Sequence, residues 1–590
     1  MNHMFRSGLL AFLLLAALAF YHFSLHPAAA LTPITPIRTL SSRVLLVPLD
    51  SRPPCRQHVV DLGRIGGIDV MTPPNECMDY YSQPGDTAAM RDWLMQEAHP
   101  GDAVIISIDQ LLFGGLLAAR EQAAPPARQD ALVAYLRAFR AAHPDVPVYA
   151  FSILPRLTPQ DTIDGYDERR ALIAYSRLVG KRAAGLAVGD DELAALRAKI
   201  SDESLATYEA HFRENAELNE KLVALTKDGT LTRLVLGQDD GEPYGIPNIE
   251  KSSIQLTIDT LGLTDKQCFL THGADEIAQT LLAAYVCEQH DYHPRITVTT
   301  TDPCAKTRVM PYMAVDCATV AEEKIRLIGG TPTSDEKDAN LTLFLSANDS
   351  DEGSLDMRQA AVDYFARELG NVDGTAHEKS GNADETADKK SVAAHAAASS
   401  KNASHPIALV DLSKHFDAAE PLLPLLMGRD IPVTRLAAYA GWNTTSNAIG
   451  TALAAATIRE ACKREPLTPD EARALAAESA RFLQNRVLED FFYLKADIDP
   501  INHALKKAGY TNTADLDLEH NHRWATQMLQ QKLAQQAAIY KHTKSLRAPF
   551  PVPQTGEQLA IYDLSTDASF PWPRTFEIYL ETTPYFALVK

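Results

Sequence analysis

From about residue 43 the chain alternates two hydrophobic patterns. Short runs that are apolar throughout and rich in β-branched residues predict strands at Val44–Leu49, Ala103–Ile108, Val148–Leu154, Leu234–Gly237, Cys268–Leu270, Ile296–Thr299, Leu341–Leu345, Ile407–Val410 and Arg435–Tyr439. Between them, stretches such as Thr87–Glu97 and Arg128–Ala142 carry helical spacing. Strands separated by helices predict parallel βα units, and runs such as AVIISI, with hardly a polar position, fit strands covered on both faces. The expected fold class is α/β. Two architectures accommodate the strands: a (β/α)8-like barrel with an extra strand, or two doubly wound domains. Either one puts function at the carboxyl ends of the strands.

Other regions depart from this rhythm. The α/β pattern occupies 43–369 and resumes over 406–465, and the chain is then helical over 466–547. Residues 548–590 return to Pro and aromatic residues and read as a small terminal β element. The intervening stretch 370–405 has almost no large apolar residue and reads as a disordered surface insertion, with His377 and His395 solvated. At the start, Arg6 precedes an apolar run from Leu9 to Phe20, followed by the small residues Ala28, Ala29 and Ala30. Residues 1–30 therefore read as an export signal, or as an N-terminal membrane anchor if Tyr21–Leu25 extends the run. Both readings place the body of the protein in the periplasm or outside the cell.

With 590 residues, the chain is too long for one hydrophobic core. A formal charge of -20 argues against a nucleic-acid partner. The seven cysteines contain no CxxC pair, and GxGxxG is absent, so no cofactor and no resident metal are expected. Oligomeric state is not set by these properties.

Candidate chemistry crowds at the strand ends. VPLDSRPP places Asp50 and Arg52 after the first strand, with two prolines stiffening the turn. Arg52 there suits a bidentate contact to a carboxylate, of a substrate or of a neighbouring Asp. SIDQLLFGGLLAAR offers Asp109 and a Gly114–Gly115 pair against which a ligand could sit. GQDDGEPYG carries Asp239 and Asp240 between glycines, with Tyr244 as a hydroxyl or a stacking ring. THGADEIAQ brings His272, Asp275 and Glu276 to the start of a helix, whose N-terminus favours ionised carboxylates. AYAGWNTTSN supplies Trp442 and Asn443, a ring and an amide suited to a sugar, with Thr444 or Thr445 as the helix cap. Asn348 and Asp411 also fall at strand ends.

Together, VPLDSRP, DQLLFGGLLAAR, GQDDGEPYG, GADE and AYAGWNTTSN resemble a large bacterial family catalogued as domain of unknown function 4127, over roughly Val44 to Tyr493. The family often has Asn after the RP pair, where this chain has Cys55 and Arg56, and Pro before GADE, where it has His272. The resemblance brings no reaction with it. HGADE is also similar, over a short match, to a hexosaminidase strand end, which implies that Asp275 orients a substrate acetamido group and Glu276 is the general acid.

The leading expectation is an exported glycoside hydrolase acting on an envelope or extracellular glycan, its substrate possibly bearing amino sugars. Glu276 is then the acid, Asp239 or Asp240 its partner, and Asp275 a third catalytic carboxylate. Asp50, Arg52, Asp109, Tyr244, His272, Trp442 and Asn443 bind substrate. Two alternatives stay open. One is a metal-dependent hydrolase built on Asp239, Asp240, Asp275 and His272. The other is a non-catalytic protein that binds sugar through Trp442, Tyr244 and the acidic cleft.

Overall fold

The computed structural model describes residues 31–348, 352–370, 405–415 and 417–589. The leader and nearly all of the low-complexity stretch lie outside them. No helix among the described residues is long and apolar enough to cross a membrane.

A short strand, β1 (Leu31–Ile34), belongs to a terminal sheet described below. The first large sheet contains β2 (Ser42–Val47), β3 (Ile68–Met71), β4 (Ala103–Ser107), β5 (Val148–Leu154), β6 (Arg233–Gln238) and β7 (Cys268–His272), all parallel. Its order is β3-β2-β4-β5-β6-β7. The second contains β8 (Arg295–Thr299), β9 (Thr331–Thr333), β10 (Leu341–Asn348), β11 (Ile407–Ser413) and β12 (Ala438–Ala440), also parallel, in the order β9-β8-β10-β11-β12. Both sheets are open, so the strands form two wound sheets rather than a barrel. In each, the chain places its second strand on one side of its first and its third strand on the other. That reversal leaves a crevice beyond the carboxyl ends of β2 and β4, and another beyond β8 and β10.

The expected strands all form. β3 and β9, absent from the expectation, are short edge strands whose side chains are partly exposed, so they lack the continuous apolar run of the central strands. The last strand of the second sheet starts later than its hydrophobic run, because Val433–Arg435 after Pro432 first makes a 3₁₀ turn.

A layer of helices lies between the two sheets. Gln57–Gly66, Ile277–Gln289, Cys317–Leu327 and Thr445–Ala461 share one core with Val44, Ile105 and Val235 of the first sheet and Ile296, Leu343 and Val410 of the second. Contact on all sides explains why Ile277–Cys287 are all buried and why the helix has no polar face. Small residues allow the layer to close. A Cβ on Gly450 would stand 2.4 Å from Glu276 Cγ, and one on Gly273 would stand 2.1 Å from Glu276 Oε1. Gly273 also has φ of 103°, which L side chains rarely adopt. Beneath these glycines, Glu276 and Lys324 form an ion pair at 2.5 Å, both with fully buried side chains. Lys324 aims its hydrogen bond at the His272 carbonyl (2.6 Å), so charge rather than an aligned hydrogen bond holds the carboxylate.

The outer face of the second sheet packs on the C-terminal helices Pro469–Arg486, Ile498–Lys507 and His522–Tyr540, the first two joined by a π-helical stretch, Val487–Asp497. Strands β13 (Phe550–Pro551), β14 (Gln558–Ser569) and β15 (Tyr579–Val589) make an antiparallel sheet with β1 against these helices. The connection between β14 and β15, residues 570–578, leaves this sheet and reaches the first strand's carboxyl end.

Two stability outcomes follow. Gly273→Ala introduces both a clash and a strained backbone, and lowers stability by about 1–3 kcal/mol, read as a fall in the thermal midpoint. Lys324→Met strands a buried carboxylate and costs about 3–5 kcal/mol, whereas Lys324→Met with Glu276→Leu recovers most of that loss. Chemical denaturation of the three proteins checks it, and equal stability of wild type and Lys324→Met would refute the assignment.

Candidate functional site

The turn after β2 delivers one buried cation into a group of acids. Arg52 Nε and Nη2 donate to Asp50 Oδ2 at 3.0 and 2.7 Å, Nη2 donates to Asp275 Oδ1 at 2.6 Å, and Nη1 reaches Glu577 Oε1 at 3.4 Å. Asp50 Oδ1 accepts the Arg52 backbone N–H at 3.0 Å, which closes the turn. The Trp572 ring lies against the guanidinium, 5.2 Å from centroid to Cζ, and its Nε1 donates to Ser51 Oγ at 2.8 Å. Burial disfavours the Arg52 cation, but Asp275 and Asp50 outweigh it and hold the charge firmly. Burial pushes Asp275 up; Arg52 pulls it down, yet Asp50 and Asp239 add to the upward push, leaving it at about 7.

Asp50, Cys55 and Asp275 bring donor atoms within 4.8 Å of one another, a spacing that would suit a metal ion. The guanidinium already stands among these donors, with its Nη2 3.8 Å from the Cys55 sulfur. Burial and then the Asp50 and Asp275 charges push the Cys55 thiol up, away from the thiolate a soft metal needs. The donor set therefore fits an arginine better than an ion.

Beside this group, the end of β6 carries two acids with opposite fates. Arg120, from the helix Leu116–Glu121, donates to Asp239 Oδ2 through Nε (3.0 Å) and Nη2. Burial works against ionisation of Asp239, but Arg120 overrides it and depresses the carboxyl. Asp239 Oδ1 also accepts the Asp240 backbone N–H at 2.8 Å. The Asp240 side chain is half-buried, with no hydrogen bond or ion pair among the described residues. Burial and the Asp239 charge raise it to about 6.

Asp239, Asp240 and Asp275 line a cleft of about 330 Å³ with His272, Tyr312, Asn443 and Asn447. Asn447 Nδ2 reaches Asp275 Oδ2 at 3.5 Å. Tyr312, 59% exposed, sits at the rim with φ of 64°, and its carbonyl accepts the Gly241 N–H at 3.0 Å. A tyrosine in the left-handed region is uncommon, and this bond ties it to the acidic turn.

The expected site residues separate into two groups. Asp239, Asp240, Asp275, His272 and Asn443 line the cleft, and Asp50 and Arg52 lie beneath it. His272 is held from both sides, by Glu323 at 3.0 Å from Nδ1 and by Lys251 at 2.9 Å from Nε2, so neither ring nitrogen is left for a metal. Asp109 faces an adjoining cleft of about 390 Å³ that shares Arg120 and Asp239. It accepts the Ile153 N–H at 3.0 Å, and burial raises it to about 7. Glu276 does not line the cleft: it is turned into the core onto Lys324. Trp442 is 4% exposed and packs on Phe576 (5.8 Å between centroids), and Tyr244 is half-buried away from the cleft wall. Gly114 and Gly115 are approached by the protein's own Gly85 and Asp79 instead of by a ligand. Asp411 accepts the Leu422 and Leu423 N–H groups at 2.7 and 2.9 Å, as an end-of-strand anchor.

Sequence reasoning missed Tyr312, Asn447, Trp572 and Glu577. Asn447 lies within the AYAGWNTTSN segment, at a position one helical turn inside the Thr444 cap. The Pro571-Trp572-Pro573 run marks a stiff aromatic segment, but nothing local ties it to Ser51, 521 positions earlier.

Several buried carboxyls titrate above their ordinary values: Asp79 at about 8, Asp109 and Asp275 at about 7, and Asp240 at about 6. Burial is the leading cause for each. The folded protein therefore keeps protons that the unfolded chain releases near pH 4, and stability falls as pH rises through about 4 to 8. Asp239, depressed instead, loses its contribution only below the ordinary carboxylate range. The thermal midpoint is expected to be lower at about pH 8.5 than at about pH 5; a midpoint that rises with pH would contradict these environments.

No curated protein and no solved structure matches the chain. Residues 44–581 match a family described as "Protein of unknown function (DUF4127)". That span takes in the strand ends of both sheets, the cleft, and the connection bearing Trp572 and Glu577. The chain belongs to this family.

Proposed function

We propose that this protein is an exported glycoside hydrolase acting on an envelope or extracellular glycan, with Asp240 as its acid. One observation carries the reading: adjacent carboxyls in one cleft are driven apart, Asp239 held ionised by Arg120 and Asp240 left unpartnered at about 6. Separation of two carboxyls into an ionised and a protonated form is the division of labour that glycoside cleavage needs.

In this mechanism Asp240 passes its proton to the glycosidic oxygen as the bond from that oxygen to the anomeric carbon breaks. Asp239 faces the positive charge that grows on the sugar ring and takes a proton from the water that attacks the anomeric carbon. Asn443, Asn447 and Asp275 offer amide and carboxyl groups to sugar hydroxyls. Exposed Tyr312 offers a flat ring at the rim, the task first expected of Trp442. Glu276 has no part in the chemistry, because its side chain has no solvent access and its charge is matched by Lys324.

Activity on aryl glycosides and a glycan panel tests the reading. Asp240→Asn is expected to lower kcat/KM by about 10²–10⁴-fold. Wild-type kcat/KM should fall as pH rises through about 6, the value to which Asp240 is raised, because the acid must be protonated. Glu276→Gln should shift stability while keeping that limb. No turnover across the panel, or wild-type rates in Asp240→Asn, would rule the reading out.

A further inference from the structure

Arg156 stands where an anion would be held. It follows β5 by two positions, and the pairing of Leu154 with Gln238 runs Pro155 and Arg156 alongside Asp239 and Asp240. The Asp239 N–H donates to the Leu154 carbonyl at 3.4 Å, which keeps the two strand ends together beyond the sheet. Arg156 is half-buried, yet it makes no hydrogen bond and no ion pair among the described residues.

Its neighbours are already committed. Asp239 is bound by Arg120, and Asp161 pairs with Arg169 at 2.6 Å. Asp240 lies alongside without forming an ion pair, and the reading above requires it to be protonated when the enzyme works. Arg120 adds a second positive charge nearby, and burial presses further against the Arg156 cation. A half-buried guanidinium with unused donors is costly unless something accepts from it. The planar fork of an arginine is matched by a carboxylate or a sulfate, which it binds through two parallel hydrogen bonds.

We infer that Arg156 is the specificity-determining residue of this cleft and that the glycan is acidic, with an oxyanion group on a sugar bound beside Asp240. This inference rests on the glycoside hydrolase reading and adds the substrate class to it. The overall charge of -20 repels anions at long range, so selection is made by contact at Arg156 rather than by steering.

Binding without turnover provides the test. Calorimetry with the full-length protein uses three probes: an oligogalacturonate as the carboxylate, a sulfated galactan oligosaccharide as the sulfate, and a neutral galactan oligosaccharide. One of the acidic probes is expected to bind at least about tenfold more tightly than the neutral one, and which of them does so identifies the oxyanion. Arg156→Gln should remove that preference and leave the neutral probe unchanged, and Arg156→Lys should restore part of it, because charge persists without the fork. Asp240→Asn should keep the preference while abolishing hydrolysis. An acidic preference that survives Arg156→Gln, or no acidic preference in the wild type, overturns the inference. If the preference holds but no glycan is cleaved, the inference about the site stands and the hydrolase reading falls.

Discussion

Arg52 brings a single positive charge to a place where carboxylates from distant parts of the chain converge. Asp50 comes from the end of the first large-sheet strand, Asp275 from the end of the last strand in the same sheet, and Glu577 from the connection between β14 and β15. Each would be expensive to bury alone, and one guanidinium cannot neutralise all of them. The group is stable only if the elements bearing it are held at hydrogen-bond distance and if part of the negative charge is taken up by protons. The same contact thus closes the C-terminal connection onto the first sheet and pushes Asp275 upward. Trp572 completes it by covering the guanidinium with a ring and tying its own N–H to Ser51.

The layer between the sheets sets a second constraint. Helices that meet sheets on both sides cannot keep a polar face, so their acids either face the cleft at the helix start or find a partner in the core. Asp275 and Glu276 are neighbours in sequence and take the two different solutions. Asp275 precedes the helix and faces Arg52, whereas Glu276 is the residue at the cap, turned inward to Lys324 beneath Gly273 and Gly450. Nothing larger than glycine fits at those two positions while the pair stays in place.

Much of this was legible from pattern alone. Continuous β-branched runs locate the central strands because parallel strands covered on both faces leave no polar position, and the carboxyl-end rule then points to Asp239, Asp240, Asp275 and Arg52. Edge strands β3 and β9 escape because their exposed positions interrupt the run. The assignment of Glu276 as an acid fails for a related reason: periodicity identifies a helix start but not which of two adjacent carboxylates the neighbouring helix will cover. Trp442 was read as a sugar platform, yet it fills the space beside Phe576, and an apolar ring at a strand end carries no local sign of which way it faces. Trp572 and Glu577 were invisible as site residues because their role depends on a contact with the other end of the chain.

The aspartates of GQDDGEPYG acquire distinct roles only through residues that lie elsewhere. Side chains of successive residues in extended backbone point to opposite sides, so Asp239 and Asp240 meet different surroundings despite their adjacency. Arg120 reaches Asp239 from another helix and fixes it as the ionised member. Without that arginine both carboxyls would be half-neutralised by a shared proton, because two buried like charges so close together resist ionising together. With it, the charge on Asp239 becomes the force that raises Asp240. The Gly241 N–H, one position further on, holds the Tyr312 carbonyl and brings the exposed ring to the same turn. A short run of acids therefore becomes a polarised pair because one helix supplies a cation and one loop supplies the rim. A chain with the same DDG motif but no arginine at position 120 would keep the fold of the turn and lose the difference between its acids.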